Sequence, residues 1–449
     1  MKSSKDVSVL KQLMTYTGPA VLGLLINALY NIVDRIFVGQ FVGAEGLSAV
    51  TMVFPVSIFQ FAFILLFSSG TGVLISNYLG KSTPEKAEIA LGNMVAGLLV
   101  SIVVFTSAGL LFYEPLLKFF GASGKLLAMS GDYLQVIVIG FPLSFFIALE
   151  FTCRAEGNPR LPAILVFVSS IINILLDIVF MKGFDMGVRG AGLATIIAQG
   201  VNGSLLLAYY LRGKSVIKLL WKNIRLQKKI IFPMLLLGLS PFIMDFATSL
   251  QNMIINNLLI KSGGSEAVAV MGIIFSVNVL FMMTSLGIGD GIQPIVSFNL
   301  GANQHVKNYR ILRYTMIIIG LIGLLGVLIC ELFPNLIIRI FINNEAITEM
   351  AEKALQIFAF CIPFYMIQII ATRYFQAVQE NNIAVFLAIL RPILLFVPIL
   401  YTLNHFYGLN GIWIAFVVSD SLAALVSLLL VRKYSLKKLR VPRKSNWLT

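Results

Sequence analysis

The sequence predicts an all-α integral membrane protein whose twelve transmembrane helices form two six-helix bundles, related by a pseudo-two-fold axis along the membrane normal. Three observations support this fold class. The composition is 58 % hydrophobic and only 12 % charged, with a mean hydropathy of +0.91, which is unlike that of soluble globular chains. Apolar runs of about twenty residues recur along the whole chain. The second half of the sequence also repeats motifs of the first half.

Each apolar run is long enough to cross a hydrocarbon core of about 30 Å as a helix. We expect the two longest runs to tilt or bend. In chain order, the predicted spans are 17–38, 50–78, 88–112, 131–152, 160–181, 190–211, 231–259, 267–296, 311–333, 354–373, 383–404 and 411–431.

The net charge of +14 is distributed unevenly between the two faces that these spans define. The face that carries both termini and the loops after even-numbered spans holds 25 of the 34 lysines and arginines, and the opposite face holds 8. This bias places both termini in the cytoplasm. The basic clusters are then topology signals and contacts for anionic lipids. Basic runs outside a known nucleic-acid-binding fold are poor evidence for nucleic-acid binding, so we expect no nucleic-acid partner.

Residues that commonly carry enzyme chemistry are scarce. Cys153, Cys330 and Cys361 lie far apart and show neither metal nor disulfide spacing, so we expect them to be small packing residues. His305 and His405 belong to no HExxH motif, and no GxSxG motif occurs. We therefore expect a protein that is not an enzyme and uses no cofactor. The lysine-rich start precedes no small-residue cleavage site, so we expect no removable signal peptide.

An internal repeat is the most informative feature of the sequence. Four short motifs recur in the same order, three of them with a spacing of 221 residues and the last one residue out of register. They are SNYLG (76–80) with SFNLG (297–301), Pro142 with Pro363, GVRG (187–190) with GLNG (408–411), and TGP (17–19) with LSP (239–241).

Each copy of the repeat holds six spans, so both copies enter the membrane from the same side. Such parallel repeats are related by an axis along the membrane normal, and this plan suits alternating access. We expect an N-terminal bundle (1–212), a basic cytoplasmic linker (213–230) and a C-terminal bundle (231–449).

The first span carries Asp34 and Arg35 side by side. A charged side chain at membrane depth costs about 3 kcal/mol or more, so it usually has a partner or a function. One interpretation is that both residues mark the interfacial end of the span, with Arg35 extending outward to water. The alternative is an ion site, which the fifth and sixth spans favour.

In the fifth span Asn173 and Asp177 are spaced i, i+4 and share one helix face, as do Thr195 and Gln199 in the sixth. Together with Asp34, these residues supply carboxylate, amide and hydroxyl oxygens. Hard cations prefer such ligands, and a proton can bridge two neighbouring carboxylates.

Several motifs resemble those of the multidrug and toxic compound extrusion (MATE) transporters. The first is NIVDRIFVGQFVGAEGLSAVTMVFPV (31–56), and RAEGNPR (154–160) follows the fourth span. NILLD (173–177), GIQPIVSFNLGA (291–302) and GLNGIWIA (408–415) complete a similarity that covers nearly the full chain. The resemblance implies a secondary transporter that exports organic cations against a proton or sodium gradient.

The resemblance also implies a coupling-ion site, for H⁺ or Na⁺, at the positions of Asp34, Asn173, Asp177 and Thr195. Two carboxylates that are buried from water cannot both stay ionised at low cost. Loading an ion offsets their repulsion, and releasing it leaves a negative site that a drug cation can occupy.

The second half of the chain lacks the acid pair. Asn256 stands at the position that matches Asp34, or Ile255 in the other register, and Pro398 matches Asp177. We assign five residues to a substrate cavity: Asn27, Gln199, Asn256, Asp245 and Asp290.

The charged residues within the spans of the second half have alternative interpretations. The alternative for Asp245 and Asp290 is an interfacial or helix-end position. The glycines and proline of GIGDGIQP (287–294) predict a break in the helix that would let Asp290 reach a water-filled cavity. Arg391 needs a partner inside its span, and the candidates are Asp420 and a lipid phosphate.

The predicted function is therefore multidrug export by antiport, in a monomer of the bacterial inner membrane. One alternative is a flippase of lipid-linked oligosaccharides from the same superfamily, although such proteins tend to carry additional spans or arginine-rich cavities. The other is a membrane scaffold without transport, which has no need for intramembrane carboxylates.

Overall fold

The computed structural model describes residues 9–341 and 345–439 and is helical almost throughout them. In this part of the chain, eleven helices are long and apolar enough to cross a membrane. A further pair of helices, bent by 45° between Ala359 and Ile362, raises the number of spans to twelve. The predicted all-α membrane fold is confirmed.

Every predicted span overlaps one of these helices. Their bounds are α1 (Val9–Phe41), α2 (Ala44–Gly80), α3 (Pro84–Phe119), α4 (Gly124–Ala155), α5 (Arg160–Gly183), α6 (Gly187–Leu211), α7 (Lys228–Gly264), α8 (Glu266–Gly301), α9 (His305–Leu332), the bent α10 (Glu345–Ala359 and Ile362–Ala377), α11 (Asn381–Tyr407) and α12 (Leu409–Leu439).

Large apolar side chains cover much of the outer surface of these helices. On α3, for example, Val103, Leu111 and Phe112 are 65 %, 72 % and 61 % exposed. In water such a surface would drive association, whereas hydrocarbon solvates it. A helix suits this environment because it satisfies its own backbone hydrogen bonds.

The internal repeat is visible in the turns between helices. Several residues with a left-handed backbone occur in pairs that are 221 positions apart, as in the sequence motifs. The pairs are Gly43 with Gly264, Ser82 with Asn303, and Gly187 with Gly408. Glycine occupies four of these six positions because it adopts a positive φ without a steric penalty.

The chain forms two compact units. Unit 1 comprises residues 18–242, and unit 2 comprises residues 9–17 together with 243–439 as far as they are described. The segment 213–230, predicted to link the bundles, therefore belongs to unit 1.

Within unit 1, α2 and the start of α7 approach each other through glycine. A Cβ atom on Gly70 would lie 2.0 Å from the carbonyl oxygen of Met234, and one on Gly238 would lie 1.8 Å from that of Leu66. Any larger residue at these two positions would push the helices apart.

The segment between α6 and α7 is docked on unit 1 through capped backbone groups. The buried Glu156 carboxylate, between α4 and α5, accepts hydrogen bonds from the Ser215 hydroxyl and from the Val216 N–H (3.1 Å). Two further N–H groups bind side chains of α3: Lys218 N donates to Glu88 Oε1 (3.1 Å), and Gln227 N donates to Asn93 Oδ1 (2.6 Å).

In unit 2, a buried ion pair joins α11 to α12. Arg391 Nε lies 2.8 Å from Asp420 Oδ1, and Nη2 lies 3.3 Å from Oδ2, which confirms Asp420 as the predicted partner. Arg391 lies in a π-helical turn (Leu390–Leu395), and α5 contains a similar turn (Ile178–Gly183).

The predicted helix break in GIGDGIQP (287–294) is wrong, since α8 is continuous from Glu266 to Gly301. The glycines permit close packing instead. A Cβ on Gly289 would lie 2.7 Å from Arg373 Cγ, and one on Gly291 would lie 2.6 Å from Thr17 Cα.

Candidate functional site

The carboxyl groups of Asp34 and Asp177 meet inside unit 1. Their residues are 8 % and 0 % exposed, and the two side chains lie within hydrogen-bonding range of each other. Neither group can donate a hydrogen bond while it is ionised. Among the described residues, no N–H or O–H group donates to Asp34 Oδ1 or to either oxygen of Asp177. The pair therefore suits a proton or a cation shared between the two acids.

Asn173 lies one turn before Asp177 on the same face of α5 and is 1 % exposed. Its amide oxygen and nitrogen also find no hydrogen-bond partner in the described part of the chain. Asp177 is the last residue of the regular α-helix, and the π-helical turn begins at the next residue. Such turns are frequent at functional sites because they displace the helix face by part of a turn.

Two cavities lie beside this pair, both within unit 1. The larger measures about 130 Å³ and the smaller about 50 Å³. Both are lined by Tyr30 of α1, Ile147 of α4, and Thr195 and Gln199 of α6. The structure thus brings Thr195 and Gln199 to the same region as the two acids and Asn173.

The lining of the larger cavity combines negative charge with aromatic rings. Asp34 is part of it, together with Tyr30, Phe54 and Tyr133. Arg35 also lines it and places its guanidinium 4.9 Å from the centre of the Phe54 ring. Aromatic faces and a carboxylate are the groups that attract flat organic cations.

The volumes of the two cavities decide which ligands they can hold. A water molecule needs about 10–15 Å³ by this measure, whereas pockets for drug-sized ligands are about 300–1,000 Å³. Both cavities thus have room for ions and water, and the larger would have to widen to admit a drug. Asn27 lines the smaller cavity, so Asn27 and Gln199 lie in the wall of the same cavity as Asn173.

The remaining predicted substrate residues lie in unit 2. Asn256 is exposed on α7. Asp290 is 6 % exposed and lies 3.3 Å from Arg373 Nε, an ion-pair distance at which the N–H does not point at the carboxylate. Asp245 interacts electrostatically with both of these residues. A buried arginine thus faces the acid that we had expected to reach a water-filled cavity.

The sequence analysis did not identify three residues that line the smaller cavity: Tyr30, Glu150 and Asn202. Glu150 was the most accessible to prediction, because Glu150 and Arg154 form an i, i+4 pair at the end of an apolar run. Tyr30 and Asn202 give no such signal, since single polar residues are common in membrane helices.

One protein-family model, described as MatE, matches the chain twice, at residues 19–179 and 241–402. The chain belongs to the MatE family. The family comprises membrane transporters and not enzymes. The double match reproduces the internal repeat, and the first match includes Asp34, Asn173 and Asp177.

Curated relatives include "Multidrug export protein MepA" of Staphylococcus aureus (strain N315). It is 26 % identical over 429 residues, which cover 94 % of this chain and 93 % of the relative. The protein of the same name from Staphylococcus saprophyticus is 26 % identical over 426 residues, covering 94 % of each chain.

Solved structures of MATE transporters share the fold of this MatE chain. A crystal structure of MATE in complex with MaL6 superposes with a TM-score of 0.92 at 23 % identity, covering 96 % of this chain and 98 % of that one. An outward-facing multidrug resistance MATE transporter gives 0.91 at 24 % identity, with 98 % and 100 % coverage.

One further solved structure with this fold is described as differing in function. It is a transporter from Pyrococcus furiosus, described as having a binding pocket of reverse polarity that suggests a different function. Its TM-score is 0.91 at 23 % identity, covering 98 % of this chain and 100 % of that one. The function of this MatE chain must therefore be argued from its own residues.

Proposed function

We propose that this chain is a secondary active exporter of organic cations, driven by the inward movement of H⁺ or Na⁺ at the Asp34–Asp177 pair. The observation that carries the proposal is this buried pair of carboxyl groups, of whose four oxygens three accept no hydrogen bond from the described residues. Membership of the MatE family and the similarity to MepA support the class of substrate.

The ion-binding step follows from electrostatics. Two unit charges 4 Å apart repel by about 4 kcal/mol at an effective dielectric constant of 20. A proton bound between the acids removes this repulsion, and so does Na⁺ held by their oxygens with those of Asn173 and Thr195. Residues of these types fit either ion.

Release of the ion restores negative charge beside the aromatic lining of the larger cavity. An organic cation is then attracted to the site, and the drug and the ion exclude each other because they neutralise the same charges. Such mutual exclusion is the requirement for antiport by alternating access. The electrical gradient supplies about 2.3 kcal/mol per charge per 100 mV.

The orientation in the membrane is part of the proposal. Both termini lie in the cytoplasm of a bacterial cell, as the lysine and arginine bias indicates. The flippase alternative calls for arginine-rich cavities, whereas Asp34 and aromatic rings accompany Arg35 in the lining here.

The test is transport in proteoliposomes that contain the full chain and a fluorescent organic cation such as ethidium. A pH gradient alone and a Na⁺ gradient alone are imposed in separate experiments. We expect one of them to drive uphill transport that the matching ionophore abolishes. Correctly folded protein that moves the dye with neither gradient would refute the proposal.

A further inference from the structure

The smaller cavity of unit 1 contains an acid to which no role has been assigned so far. Glu150 of α4 lines this cavity together with Asn173 and Asn202. The cavity shares Tyr30, among other residues, with the larger one that holds Asp34. Asp34 and Glu150 thus line two neighbouring cavities that have part of their walls in common.

At least two donors hold Glu150 in place. Asn202 Nδ2 donates to its Oε1 atom (2.8 Å), and Arg154 Nη2 donates to Oε2 (3.1 Å). The side chains of Glu150 and Arg154 are only 14 % and 10 % exposed. The Arg154 guanidinium also lies 4.8 Å from the centre of the Phe151 ring. Glu150 and Arg154 thus form a largely buried ion pair, of which Glu150 lines the cavity.

The position of Glu150 along the helices gives the path a direction. α4 and α5 are joined by the short loop 156–159, so Ala155 and Arg160 lie at the same end of the unit. Glu150 is about 7.5 Å from this end along α4, and Asn173 is about 20 Å from it along α5, at 1.5 Å per residue. Glu150 therefore lies between the depth of the acid pair and the end that carries the docked linker.

Buried polar atoms without a hydrogen-bond partner among the described residues lie in the region of Glu150 and Asn173. The amide oxygen and nitrogen of Asn173 and the amide oxygen of Asn202 are buried and have no hydrogen-bond partner among the described residues. Buried polar atoms are normally satisfied by protein, water or an ion. A cavity of about 50 Å³ has room for more than one water.

We propose that Glu150 is an intermediate binding site for the coupling ion, on a hydrated path between the Asp34–Asp177 pair and the end of unit 1 that carries the linker. The inference rests on the proposed function and adds the route by which the ion leaves. A monovalent cation, either H⁺ carried on water or Na⁺, passes from the pair to the Glu150 carboxylate and then to the aqueous side. The alternative is that Glu150 is only a structural ion-pair partner of Arg154.

Two assays on reconstituted full-length protein separate these readings. One is efflux of tetraphenylphosphonium driven by a pH gradient alone or by a Na⁺ gradient alone, which also identifies the ion. The other is counterflow, in which labelled and unlabelled substrate exchange at equal ion concentrations. Counterflow uses the drug-loaded carrier and does not require the ion to leave.

In Glu150→Gln we expect driven efflux to fall about tenfold, which corresponds to about 1.4 kcal/mol in the barrier. Counterflow should stay within about twofold. The single change leaves Arg154 without its acidic partner. The charge-neutral Glu150→Gln/Arg154→Gln variant is therefore measured too, and it should give the same results as Glu150→Gln in both assays. Glu88→Gln, which removes a carboxylate outside both cavities, should change neither assay.

Driven efflux within about twofold of wild type in the charge-neutral variant would overturn the proposal, and so would equal losses in both assays. If neither variant folds, Asn202→Leu blocks the same cavity and leaves the ion pair intact. The single change Asn202→Leu must then lower driven efflux, and normal driven efflux in this variant would overturn the proposed path. Normal driven efflux in Asp34→Asn would instead refute the proposed function.

Discussion

At the scale of single residues, the structure joins two acids that are far apart in the sequence. Asp34 belongs to α1 and Asp177 to α5, and no local pattern predicts that their carboxyl groups meet. The i, i+4 spacing placed Asn173 and Asp177 on one face, but the rotation of α1 that turns Asp34 toward this face depends on packing. The proximity of Asp34 and Asp177 was therefore predictable only from the family resemblance, and the structure shows the packing that produces it.

If the two acids hold one ion, they act as one unit. We expect Asp34→Asn, Asp177→Asn and the double variant to reduce ion-driven efflux by similar factors, because each change alone already removes the shared site. Asn173→Ala should cause a smaller loss, since it removes a neutral ligand and leaves both charges. The measurement is efflux of a fluorescent cation from vesicles between about pH 6 and 9.

The matched control for these substitutions is Asp132→Asn. Asp132 is an exposed acid of α4 that pairs with Arg189 at 2.6 Å, and it lines neither cavity. It should transport as the wild type does. Strictly multiplicative losses from the Asp34 and Asp177 changes would show that the two acids have separate roles.

At the scale of elements, the segment between α6 and α7 is more than a tether. Its charge and weak apolarity predicted a solvated linker, but Glu156, Glu88 and Asn93 bind its backbone. Side chains that cap backbone groups leave no periodic pattern in the sequence, which explains why the docking was missed.

We expect Glu156→Ala to release this segment. A hydrogen bond to a charged group contributes about 1.5–3 kcal/mol, and the change removes the acceptor of at least two. Limited trypsin digestion should then cut the basic segment around Lys218 and Arg225 faster than in the wild type. Glu85→Ala, which removes an exposed acid at the same end of α3, is the control, and equal cleavage in the two variants would argue against docking.

Burial also makes the docking pH-dependent. Burial raises the pKa of the Glu156 carboxyl above its ordinary value of 4.5, although its hydrogen bonds act in the opposite direction. The docked state therefore binds the proton more tightly, and docking weakens as the pH rises from about 4.5 through the raised pKa. The ratio of wild-type to Glu156→Gln cleavage should rise over this range, and a constant ratio would contradict the assignment.

The π-helical turn of α11 contains Arg391, which forms a buried ion pair with Asp420 of α12. Removing one partner of a buried pair leaves an uncompensated charge, at a cost of about 3–5 kcal/mol. Arg391→Met should therefore lower the thermal unfolding temperature in detergent markedly. Arg391→Met/Asp420→Leu should recover most of the lost stability, because the fully buried carboxylate of Asp420 is then removed together with the arginine. A double variant as unstable as the single one would show that the arginine stem matters more than the charge.

The helices themselves were predictable because apolar length and backbone satisfaction in lipid dictate them almost alone. Details that depend on neighbours were not. The glycines around Asp290 suggest a break until Arg373 and Thr17 are seen to occupy the space beside them. Likewise, nothing in the sequence of α5 distinguishes the π-helical turn after Asp177 from a regular one.

At the scale of the whole molecule, the two halves share a family match and a set of turns but differ in charge chemistry. Unit 1 contains the Asp34–Asp177 pair, of whose four oxygens three accept no hydrogen bond from the described residues, whereas in unit 2 Asp290 and Asp420 each lie beside an arginine. We therefore expect ion coupling to reside in unit 1, although the same family model matches both halves of the chain.

The central claim is that drug and ion compete for the Asp34–Asp177 pair. Its most direct test is to add an organic cation to the purified protein in weak buffer and to record the ion that is released, as H⁺ with a pH dye or as radioactive Na⁺. We expect drug binding to release the ion from the wild type and from Asp132→Asn, but not from Asp34→Asn or Asp177→Asn. Equal release from Asp34→Asn, or drug binding by the wild type with no release of either ion, would contradict the account.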